Sequence, residues 1–171
     1  MSFNVENLFV KCDDQGGVAT LVESHWRSSS RPAQPTWGLP SSFKAMLAKG
    51  PKRKIAISPP RKGWVALVES KEVVDFALAK VLSEELDTTV LAIQVSEASG
   101  AAGYASAVRG QVLESHFSEE DGDPLASVRE ALKKYNVPFE AILFREAVQG
   151  VSEGWRVICQ PISGETPAIP K

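Results

Sequence analysis

The sequence predicts an α+β fold: an antiparallel-rich, mixed sheet with about three helices packed on it. Three observations predict this. Apolar residues alternate over about nine segments of strand length, against about three helical patterns. Most of the strand-like segments are separated by short, turn-forming stretches, which suit hairpins and so antiparallel pairing. The helix after Ser70 is the only connection that reads as a crossover between parallel strands. The 171 residues, 43% hydrophobic and 23% charged, suit a single domain over 1–171 with a real core. They exclude collagen-like, coiled-coil and wholly disordered chains. No apolar run approaches the roughly 20 residues that a membrane helix needs.

The elements follow in order. Residues 1–11 lack a basic stretch followed by an apolar one, and read as a first strand over 7–11 rather than a signal peptide. Residues 18–26 alternate, with Leu21, Glu23 and His25 on one side and Val22, Ser24 and Trp26 on the other, which predicts a second strand. Between them Asp13-Asp14-Gln15-Gly16-Gly17 tolerates positive φ and predicts a hairpin turn. Residues 27–53 form a Ser/Pro-rich basic arm with a short helix over 41–50, capped by Ser41 or Ser42 and ended by Gly50. Strands are expected over 54–58 and 63–70, joined by Pro59-Pro60-Arg61-Lys62-Gly63. A helix runs from Ser70 to about Leu86, with Leu78 and Leu82 in its apolar stripe, and a central strand covers 88–97.

Ser99-Gly100-Ala101-Ala102-Gly103 then breaks the pattern, and a hairpin over 104–117 turns at Arg109-Gly110. Asp123 and Pro124 open a helix that Asn136 and Pro138 close. Its inner stripe is Leu125, Val128 and Leu132, and Glu130 can pair with Lys134. The last strands are expected over 139–144 and 154–162, and 163–171 is a tail. Cys12 and Cys159 fall within apparent strands and read as two buried thiols packing as small hydrophobes.

The charge layout is the least ordinary feature. From Arg27 to Lys62 there is no Asp or Glu, and the nine cations give a formal charge of +9; the rest of the chain carries −11. The binding residues expected here are Arg27, Arg31, Lys44, Lys52, Arg53, Arg61 and Lys62, with Trp37 and Phe43 as anchors or stacking surfaces.

Chemistry-bearing patterns are few. His25 and His116 each follow Glu-Ser and precede an aromatic residue. On neighbouring strands they would form, with Glu23 and Glu114, a His/Glu set able to hold a metal or move protons. No catalytic residue is assigned on that basis, and no HExxH or Cys-x-x-Cys supports a metal. Ser41 and Lys44 have the Ser-x-x-Lys spacing without its companion motifs, and helix capping explains them. Gly100 and Gly103 do not make a phosphate loop, and Glu119–Asp123 lacks calcium-loop spacing.

The sequence therefore points to a cytoplasmic, non-catalytic binding protein with no cofactor, using its basic arm to engage an acidic protein partner. Small bacterial immunity and accessory proteins are similar in having such unmarked α+β sequences, which is a class analogy. A homodimer formed by strand edges or arm exchange belongs to the same reading. The alternatives are a nucleic-acid-binding module through residues 27–62 and an enzyme built on the His/Glu set.

Overall fold

The computed structural model describes residues 4–28, 54–70, 76–96, 99–118, 125–141, 146–147 and 153–160. Its first strand, β1 (Asn4–Val10), is buried on both faces, and even Glu6 and Asn7 are shielded from solvent. It is followed by α1 (Gln15–Ser28), β2 (Lys54–Ile57), β3 (Val65–Glu69), α2 (Phe76–Glu85), β4 (Thr89–Ser96), β5 (Ala101–Val108), β6 (Gln111–Ser118), α3 (Leu125–Lys134) and β7 (Arg156–Cys159). The strands form one seven-stranded sheet in the order β6-β5-β4-β1-β3-β2-β7, every neighbouring pair antiparallel.

Because β1 and β2 both run against β3, they are parallel to each other; so are β3 and β4, which both run against β1. The chain thus makes two interleaved crossovers, one carrying α1 and one carrying α2. The inner strands β4-β1-β3-β2 have the order of the split βαβ, or ferredoxin-like, unit. β5 and β6 extend it at one edge and β7 at the other.

The α+β class and antiparallel-rich sheet stand as expected, whereas the first connection corrects the sequence reading. Residues 18–26 are helical, so the helix after Ser70 is one of two crossovers. Val18, Ala19, Val22 and Trp26 are the buried residues of α1, a spacing that only a helix puts on one side. The supposed turn is its start. Asp14 Oδ1 accepts the N–H of Gly17 at 2.9 Å, the N-cap bond that satisfies one of the orphan donors of the first turn. Gly17 is the residue this bond needs, because a Cβ there would overlap the Asp14 carboxylate.

The sheet separates two apolar layers. On one face Leu8, Val10, Ile55, Ile57, Val65, Leu67, Val90 and Ala92 pack under α1 and α2. On the other, Val5, Phe9, Ala66, Leu91, Ile93 and Val95 pack under α3 and residues 137–139. Phe9 and Phe139 stack with centroids 5.8 Å apart. Each fully buried Leu, Val or Ile contributes about 1.5–3 kcal/mol, so these two layers supply most of the driving force for folding.

Local chemistry sets the ends of the elements. Asn136, at φ 53°, terminates α3: its N–H bonds the Lys133 carbonyl and that of Val137 bonds the Leu132 carbonyl. Asp87, at φ 46°, ends α2 with the same pair of bonds to Glu84 and Ser83. Arg109-Gly110 and Lys62-Gly63 both have positive φ at two successive residues, the type I′ geometry that matches strand twist. Gly103, expected in a loop, lies inside β5, and the ring of Phe117 on β6 occupies the space a Cβ would need. Residues 139–141, expected to begin a strand, have no strand pairing. The last strand, expected over 154–162, covers Arg156–Cys159, and 161–162 lie outside the described residues. The short helix over 41–50, most of the 27–53 arm, the acidic run 119–123 and the 163–171 tail lie outside the described residues.

Candidate functional site

Of the basic stretch, Arg27, Lys54, Arg61 and Lys62 are described, and all four side chains are exposed. Arg31, Trp37, Phe43, Lys44, Lys49, Lys52 and Arg53 lie outside the described residues. Arg27 contacts Glu23, one helical turn away, at 3.8 Å. Both side chains are largely solvated, so the pair adds little to stability. Arg61 lies over the Phe139 ring, 5.1 Å from its centroid, a cation–π contact at the rim of the second apolar layer. Lys54 and Lys62 have no ion pair among the described residues.

These four cations divide between two ends of the sheet. α1 starts beside the end of β2, where the Gln15 side-chain amide donates to the Ile57 carbonyl at 3.0 Å and the Gly154 carbonyl at 2.9 Å. It then runs about 21 Å back over the sheet. Arg27, in its last turn, and Lys54, at the start of β2, therefore lie away from Arg61 and Lys62, which sit in the turn between β2 and β3.

The histidines do not come together. His25 is on α1, over one face of the sheet, with Glu23 exposed on the same helix. His116 is on β6 and aligns with Tyr104 on the opposite face, their rings 6.1 Å apart. The sheet stands between them. Among the described residues no group of three or more His, Cys, Asp or Glu side chains is placed to hold a metal ion.

Glu114 instead anchors a polar cluster with Lys134 and with Tyr104, Tyr135 and Ser106, three residues that the sequence does not single out. Lys134 Nζ donates to both its oxygens at 2.8 Å. Tyr104 donates to Oε1 and Tyr135 to Oε2, each at 2.7 Å. The Tyr135 and Ser106 hydroxyls are 2.9 Å apart; with its one proton directed at the carboxylate, Tyr135 accepts from Ser106. Lys134, the expected partner of Glu130 along α3, thus reaches across to β6. The reason is charge-assisted, two-pronged bonding to a half-buried carboxylate, which outweighs a solvated pair one turn away.

The lysine bonds, then the two tyrosine bonds, hold the Glu114 carboxyl at about 2. The same contacts raise Lys134 and Tyr104, and burial raises Tyr135. A carboxylate so weakly basic, with both oxygens engaged, is unsuited to take a proton at neutral pH. Its geometry fits a tie between β5, β6 and α3.

Cys159 corrects the expectation of two buried thiols: it is exposed at the end of edge strand β7. Cys12 is half-buried, and burial pushes its thiol up, away from thiolate chemistry. Among the described residues no helix is long and apolar enough to cross a membrane. In comparisons with protein-family models, curated proteins and solved structures, nothing matches this chain.

Proposed function

We propose that the chain is a non-catalytic binding protein that engages an acidic protein partner through the basic segment 27–62. The observation that carries this reading is the exposure of all four described cations of an acid-free stretch, with Lys54 and Lys62 outside any ion pair among the described residues. Charges left in solvent steer a partner of opposite sign and set the salt dependence of its binding. The separation of Arg27 and Lys54 from Arg61 and Lys62 favours the Arg27–Lys54 portion as the contact region. A cytoplasmic setting accords with it.

Titration with a fluorescent polyglutamate peptide, at low and at physiological salt, tests the reading. Binding that weakens with salt and is lost on reversing Arg27, Lys44, Lys49 and Lys54 to Glu supports it. Absence of binding at low salt overturns it. Tighter, salt-steep binding to a short DNA duplex overturns it in favour of nucleic-acid recognition.

A further inference from the structure

We propose that two copies of the chain associate about a two-fold axis by antiparallel pairing of β6 with β6, fusing two sheets into one. β6 is the terminal strand of the sheet, and its outer edge has no strand partner among the described residues. Val112, Leu113 and Phe117 on this strand are 48%, 67% and 52% exposed. They are three of the four large apolar residues exposed among the described residues; the other, Val157, is on the opposite edge strand. Edge strands are commonly guarded by lysine, proline, short length or a bulge. Gln111–Ser118 is eight residues long and contains neither lysine nor proline, and its bulge lies at Leu113, leaving 114–118 in regular register with β5. Its carboxylate, Glu114, is drawn back onto Lys134 of its own chain. The β7 edge, by contrast, is four residues long and opens with Arg156.

The strand is complementary to its own image. Opposed residues of an antiparallel pair share a face, so a two-fold axis normal to the sheet must pass midway between the two copies of one residue. Centred on Glu114, it would set two carboxylates against each other. Centred on Ser115, it sets Leu113 opposite Phe117 of the second copy and Glu114 opposite the second copy's His116, each pair occurring twice. The faces agree. Ser115 and Phe117 align with Ala105 and Gly103 on the α1–α2 face, and Leu113, the extra residue of the bulge before Glu114, continues that alternation. Glu114 and His116 align with Ser106 and Tyr104 on the α3 face. The Leu113–Phe117 pair extends the edge-to-face contact of Phe117 with Phe76, and the Glu114–His116 pair sets an ionised carboxylate against an imidazole. This complementarity identifies the occupant as a second copy, and it is independent of the basic segment.

Sedimentation equilibrium and thiol cross-linking of the full chain test the proposal. The wild type is expected to show a concentration-dependent species of twice the 18.5 kDa chain mass. Leu113→Lys and His116→Glu, both at exposed positions, should each weaken association by about tenfold or more while leaving the circular dichroism unchanged. Ser115→Cys in a Cys159→Ser background should cross-link under mild oxidation, because the axis sets the two sulfurs face to face. Gln111→Cys in that background should not, since its symmetry mate lies far along the strand. Reversing Arg27 and Lys54 should leave the dimer intact. A monomer throughout, a dimer indifferent to both β6 substitutions, or equal cross-linking at 111 and 115 would overturn the proposal.

Discussion

Replacing Gly17 by alanine tests whether Asp14 opens a helix, because two effects of similar size oppose each other there. Alanine is favoured over glycine within a helix by about 0.8–1 kcal/mol. The new Cβ, however, lies 2.9 Å from the Asp14 Cγ and overlaps the carboxylate, which must leave its bond to the Gly17 N–H. Losing an aspartate cap costs about 1 kcal/mol. Gly17→Ala alone should therefore be nearly neutral. Asp14→Ala alone should destabilise by about 1 kcal/mol, and Gly17→Ala placed on that background should recover most of the loss. The coupling is then about 1 kcal/mol, well above the scatter expected of independent sites. Urea unfolding of the four proteins measures it, and each kcal/mol should move the melting temperature by about 2–4 °C for a chain of this size. If Gly17→Ala destabilises equally in both backgrounds, residues 13–17 form the hairpin turn that their composition suggests, and the helical account of α1 is wrong. If it stabilises both equally, the cap bond is absent.

Three further outcomes follow from the same structure. Trp26→Ala should destabilise by about 3–5 kcal/mol, read as a lowered urea midpoint, because the indole is 1% exposed under the first apolar layer; a change below 1 kcal/mol would place Trp26 elsewhere. Asn136→Gly should stabilise by up to about 1 kcal/mol, since glycine meets no Cβ penalty at φ 53°, and thermal unfolding detects it. Glu114 titrates near 2 in the folded chain against 4.5 ordinarily, so its contribution is present above about 4.5 and is lost as pH falls towards 2. Glu114→Gln should flatten that part of the urea-midpoint profile, and an unchanged profile would refute the cluster.

What could be read from the sequence depended on whether its signals were local. The Arg109-Gly110 hairpin, the close of α3 at Asn136 and the apolar stripe of α2 rest on neighbouring residues, and they were legible. α1 was not. Val18, Val22 and Trp26 satisfy alternation and helical spacing alike, and the burial of Ala19 beside them, with the bond from the Gly17 N–H to Asp14, decides for the helix. β1 begins three residues earlier than its apolar pattern suggests, because Glu6 and Asn7 are buried by strands distant in sequence. The Glu114 cluster was hidden for a related reason. Its members come from β5, β6, the end of α3 and the residue after it, whereas the sequence marks Glu114 only for a set with His25, His116 and Glu23, and Lys134 only as a partner of Glu130. A regular hairpin turning at Arg109-Gly110 would set Glu114 opposite Ala105, on the face away from Tyr104; the bulge at Leu113 brings it to the tyrosine's face, and no local sequence signal marks that bulge.

The interleaving of the two crossovers has a kinetic consequence. β1 is synthesised before its neighbours, yet Leu8 lies between Leu67 and Ala92, so neither flank can be satisfied until much of the chain has emerged. Contacts of such long separation close slowly, since chain entropy is surrendered before burial compensates. The hairpins β2–β3 and β5–β6 can form on their own timescale, while β1 waits as an apolar segment with both edges open. A holdase that shields residues 4–10 during translation should raise the yield of native chain more than one acting on the later strands.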